Sequence, residues 1–112
     1  MVWYDDLYLG NSLADKPHKV KRIKWKIKHR AGTLNIYLIV LCRYGTNLLE
    51  ILPSAQLLQK AYPKQDLYVV GLANGYRESL ETAARIISDV YQQTDGFAVR
   101  KYFQNGIKAG EK

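Results

Sequence analysis

The chain has one cysteine, Cys42, so no internal disulfide can staple it. At 112 residues it can bury a core without such help, and a lone thiol suits a reducing compartment. Long hydrophobic runs are also missing. The longest, Ile36 to Cys42, is far shorter than the ~20 residues that cross a bilayer as a helix. The opening MVWYDDLYLG places Asp5 and Asp6 where a secretory signal needs a cationic start and an apolar run. Cytoplasmic location without membrane insertion is therefore expected. Histidine is scarce: His18 and His29 both sit among cations, with no carboxylate neighbour in sequence. The acids Asp5, Asp6, Glu50, Glu78, Glu81 and Asp89 show no metal-ligand spacing with His or Cys, so no metal site is read. Cys42 ends an apolar stretch, and Arg43 alone does not make the electropositive, accessible setting of a reactive thiol. No catalytic residue and no cofactor are assigned, and a non-enzymatic protein is expected.

Acidic residues are absent from one stretch, and this is the most informative lack. Residues 16–30, KPHKVKRIKWKIKHR, hold Lys16, Lys19, Lys21, Arg22, Lys24, Lys26, Lys28 and Arg30. The formal net charge is +7, while the other 97 residues carry nine Lys or Arg against ten acids. A near-neutral protein with one cationic segment points that segment at an anionic partner.

Two periods compete in this stretch. As a strand, Ile23, Trp25 and Ile27 alternate with lysines; as a helix, Val20, Ile23, Ile27 and Ala31 share one face. Boundary signals favour a helix over about 16–30. Asp15 can cap it, Pro17 suits its first turn, and Gly32 can end it. Trp25 then points away from the apolar stripe and stands among lysines.

The rest reads as a small α/β (α+β-like) domain over 1–103, with a polar tail at 104–112. Residues 2–9 are a short strand or an ordered arm. LNIYLIVLC (34–42) is a strand buried on both faces, and it pairs with LLEIL (48–52) through the turn Arg43–Asn47. Ser54 can cap a short helix, AQLLQKAY. LYVVGLA (67–73) is a third strand, and Asn74-Gly75 is a tight turn. A helix over 76–93 carries an apolar stripe of Tyr76, Leu80, Ala83, Ala84, Ile87, Val90 and Tyr91. Gly96 stops it, and FAVRKYF (97–103) closes the core. The expected order is α-β-β-α-β-α, with a three-stranded mixed or antiparallel sheet covered by helices.

The segments LYLGNSL, NIYLIVL with LLEIL, and VVGLANGYRESLETAARIISDVYQQTDGFAVRKYF resemble a family of short uncharacterised bacterial proteins over most of 7–103. The resemblance implies the same element order and a complete protein. It implies no activity and no site residues. Pro17 departs from the longer first helix of that pattern.

Three functions compete. The first is binding of nucleic acid or another polyanion through Lys19, Lys21, Arg22, Lys24, Lys26, Lys28 and Arg30, with Trp25 available to stack on an unpaired base. The second is an oligomerising or partner-binding module, such as a homodimer, in which the basic helix is only a solvated face. Sheet edges, helix faces, or Arg100 with Tyr102 and Phe103 could then be interfaces. The least supported is a small-ligand or anion site at the turn Gly71, Asn74 and Gly75. That turn matches neither the phosphate loop nor the dinucleotide fingerprint, and both glycines also suit packing and a positive φ.

Overall fold

The computed structural model describes residues 2–29, 31, 32, 35–42, 49–58, 67–94, 102 and 103. The elements are β1 (Val2–Leu9), α1 (Pro17–Lys28), β2 (Ile36–Cys42), β3 (Leu49–Pro53), a 3₁₀ helix (Ser54–Leu58), β4 (Leu67–Asn74) and α2 (Tyr76–Thr94). The class is mixed α/β as expected, but among the described residues the sheet has four strands rather than three, in the order β1-β4-β2-β3. The extra strand is the aromatic N-terminal segment, which pairs parallel to β4, so the chain starts β-α and not α-β. β2 lies between β3 and β4 and pairs antiparallel with each. The antiparallel pairing expected of the hairpin 34–52 is seen between β2 and β3, and its turn Arg43–Asn47 lies outside the described residues.

Strict alternation along β2 builds two cores. Ile36, Leu38 and Val40 face α1, together with Leu67, Val69 and Leu72 of β4. Ile39 and Leu41 face α2, with Val70, Ile86, Val90 and Phe103. Both faces are covered, which is why β2 reads as an unbroken apolar run. A β-bulge puts Val70 opposite the step between Ile39 and Val40. There Gly71 lets strands close up: a Cβ would stand 3.0 Å from Ile39 Cδ1 and 3.2 Å from the Tyr8 carbonyl.

α1 is a helix, so the strand alternative fails, and it is shorter than 16–30. Pro17 takes the first turn, Lys16 is the N-cap and His29 the C-cap. Asp15 does not cap it, and among the described residues no side chain does. Gly32 does not end it either, since the helix stops three residues after Trp25. Twelve residues are marginal alone in water. Burial of Val20, Ile23 and Ile27, on the order of 2 kcal/mol each, holds α1 to the sheet.

The helix expected after Ser54 is a single 3₁₀ stretch that drops Leu57 into the α1-side core; residues 59–62 lie outside the described set. So do Gly96, residues 97–101 including Arg100, and the tail 104–112. Of the expected closing segment, Tyr102 and Phe103 are seen. Phe103 is fully buried, with Tyr4 and Tyr102 edge-on to it at 4.8 and 4.9 Å.

The face of α2 departs most from expectation. Val90 is buried and Ala83 half-buried, but Tyr76, Leu80, Ile87 and Tyr91 are exposed. The sheet instead receives Ser79, Thr82 and Ile86. Two polar residues bury without penalty because each hydroxyl bonds its own helix: Ser79 Oγ donates to the Tyr76 carbonyl and Thr82 Oγ1 to that of Glu78.

Candidate polyanion interface

A helix turns about 100° per residue, and this sorts the cations of α1 around its buried stripe. Lys19, Arg22 and Lys26 fall on one flank. Lys21, Lys24 and Lys28 fall on the other. His18, Trp25 and His29 form the crest between them. The basic segment is therefore one solvent-side surface with an aromatic ridge, not a strip one side chain wide. Arg30 lies outside the described residues.

The first flank faces the end of the sheet. Lys19, Arg22, Ile23 and Lys26 line an open cleft of about 380 Å³ with Asn35, Ile36 and Asn74. Asn35 holds its place in a left-handed conformation (φ 61°), which Asn tolerates better than most residues. Its side-chain amide donates to Asn74 Oδ1 at 3.1 Å, and its carbonyl accepts from Gly75 N–H at 2.7 Å. Gly75 has φ 90°, the positive-φ turn expected from Asn74-Gly75. Three cations thus converge on two amides over an Ile23–Ile36 floor. That chemistry suits an anion with polar edges and a partly apolar body.

On the other flank Lys24 lies over the Trp3 ring, 5.2 Å from its centroid. The ring face attracts the ammonium electrostatically and places Lys24 at the β1 side of the helix. Trp25 is 58% exposed on the crest, and its ring centroid is 4.4 Å from that of His29. The Tyr4 and Tyr8 rings belong to the Phe103 cluster on the opposite face of the sheet.

The turn of Gly71, Asn74 and Gly75 is arranged differently. Asn74 N–H donates to Glu78 Oε2 at 2.6 Å, so a carboxylate of this chain meets the turn's amide. Glu78 also accepts from Ser12 N–H at 3.0 Å and Ser12 Oγ at 2.8 Å. Burial pushes its carboxyl up, but these hydrogen bonds and nearby Lys19 outweigh that and hold it below its ordinary value. Gly10 leaves the space the carboxylate fills. Gly71 serves strand packing, as described, and Asn74 contributes its side chain to the cationic cleft.

Sequence reasoning missed Asn35 and Trp3. The pairing of β2 and β4 brings Asn35 beside Asn74, and β1 joining the sheet brings Trp3 under α1; neither leaves a local signal. Among the described residues no group of three His, Cys, Asp or Glu could hold a metal, and no helix is long and apolar enough to cross a membrane.

No protein-family model, no curated protein and no solved structure matches this chain.

Proposed function

We propose that α1 is a polyanion-binding helix and that its partner is nucleic acid. The observation that carries this is a helix with no acidic residue and six Lys or Arg from Lys19 to Lys28, docked so that only its apolar stripe is buried. Stability alone does not favour that composition. Lys19 and Arg22, Lys21 and Lys24, Arg22 and Lys26, and Lys24 and Lys28 are like-charge neighbours three or four apart. Each such pair costs about 0.2–0.5 kcal/mol. Lys16 and Lys19 also sit at the positive end of the helix dipole. A helix meant only to be solvated would interleave glutamates. Phosphates along the two flanks would relieve the repulsion, and Trp25 on the crest offers a ring to an unpaired base.

The test is affinity for short duplex and single-stranded DNA and RNA across a salt series. Engagement of about four phosphates gives a slope of log K against log salt near −3.6 for duplex DNA. Lys21/Lys24/Lys28→Ala and Lys19/Arg22/Lys26→Ala should each flatten that slope. No binding at low salt, or a slope that both variants leave unchanged, rejects the proposal.

A further inference from the structure

The exposed side of α2 carries a second surface, independent of α1 and on the opposite face of the sheet. Ser79, Thr82, Ile86 and Val90 face the strands. Beside them, within an arc about 60° wide, stand Tyr76, Leu80, Ile87 and Tyr91. These are 56%, 47%, 41% and 51% exposed, the largest apolar exposure among the described residues apart from Trp25. The arc is about half exposed, and at one end the Tyr76 ring packs edge-on against Tyr37 of β2, centroids 5.7 Å apart.

The order of these residues is symmetric. Tyr76 and Tyr91 lie equally far from a point between Ala83 and Ala84, and so do Leu80 and Ile87. An antiparallel copy of α2 about a two-fold axis at that point meets a matching surface. Each Tyr76 faces the other copy's Tyr91, each Leu80 faces Ile87, and the small alanines lie at the crossing. Self-complementarity of this kind is what a two-fold interface requires, and the opposed helix dipoles favour it. We propose that a second copy of this chain docks on α2 in this register.

The sheet edges fit a partner less well. β1 exposes Asp5 and Asp6, and β3 is five residues long with Glu50 exposed and Pro53 at its end, all features that guard an edge. The four α2 side chains expose on the order of 400 Å² per copy. With flanking Arg77, Ala84 and Ser88 the pair comes near the ~1,200 Å² lower bound of standard interfaces, the size of weak, transient association. Each copy carries +7, so salt should tighten the dimer. The two α1 helices would lie on the outer faces, leaving nucleic acid unobstructed.

Sedimentation equilibrium of the full chain tests this, with Leu80→Lys, Ile87→Asp and the double variant. Circular dichroism confirms that each folds. The wild type should dimerise, and each single variant should weaken association at least ~30-fold by setting a charge against an apolar side chain. The double variant should recover most of the loss, because each new lysine faces a new aspartate of the other copy. A wild-type monomer at about 500 μM overturns the proposal, as does dimerisation indifferent to both single variants. A double variant no better than the singles overturns the register, and a wild type that stays monomeric while Leu80→Lys lowers its stability overturns the docking of a second copy.

Discussion

Glu78→Gln tests how the two ends of this fold are tied together. The Glu78 carboxylate joins the β1–α1 loop, through Ser12, to the turn before α2, through Asn74. It accepts three hydrogen bonds, and bonds to a charged acceptor exceed the ~1 kcal/mol of a neutral one. Glu78 is only half-buried, so water screens part of the gain. Glutamine keeps the shape but carries no charge, and its NH₂ must face at least one of the donors. The expected loss is about 1–2 kcal/mol, or ~4–8 °C in melting temperature for a chain of this length. The pH dependence has a definite sign. The folded carboxyl lies below its ordinary value of 4.5, so its stabilisation is complete above 4.5 and fades as pH falls through the lowered folded value. Urea unfolding midpoints of wild type and variant, measured from pH 7 to pH 3, should therefore differ at pH 7 and converge in acid. A gap absent at pH 7, or undiminished at pH 3, refutes the reasoning.

Other expectations follow from single contacts. Gly71→Ala should cost about 1–3 kcal/mol in urea unfolding, because the new Cβ presses on Ile39 and on the Tyr8 carbonyl. Tyr8 donates to Asp89 at 2.6 Å, so Tyr102 must donate to Tyr8 across their 2.8 Å contact. Burial first, and then the bond to Asp89, hold the Tyr8 phenol well above its ordinary value, so ultraviolet titration should find it ionising above the ordinary phenol range in the folded protein. Tyr8→Phe should lower stability by about 1 kcal/mol by removing that link. Trp25→Ala should leave the melting temperature within about 2 °C, since the ring is exposed, yet weaken single-stranded binding by ~1–3 kcal/mol. An equal loss of stability would place Trp25 in the core instead.

The sequence showed the helices and central strands well where one period was clean. β2 is apolar at every position because both faces are covered. In α1 two periods competed, and Pro17 in the first turn pointed to the helix, whereas the cap expected from Asp15 and the stop expected from Gly32 are not used. The cationic surface was legible because acids are absent from 16–30, whatever the conformation. Three features were hidden, each for a physical reason. β1 is stabilised by pairing with β4, some sixty residues away, and its own residues alternate loosely. The covered side of α2 was misjudged because Ser79 and Thr82 satisfy their hydroxyls on their own helix and bury as easily as apolar residues. The cleft beside Lys19, Arg22 and Lys26 depends on Asn35 meeting Asn74 across the β2–β4 ladder, a long-range contact with no local pattern.

The central claim is that α1 is the surface that meets nucleic acid. Titrating isotope-labelled protein with a short oligonucleotide and following each backbone amide by NMR tests it most directly. The account predicts shifts concentrated on Lys19 to His29, with Asn35 and Asn74 at the cleft, and α2 undisturbed from Leu80 to Tyr91. Shifts centred on α2 or β3, or none at low salt, would contradict it.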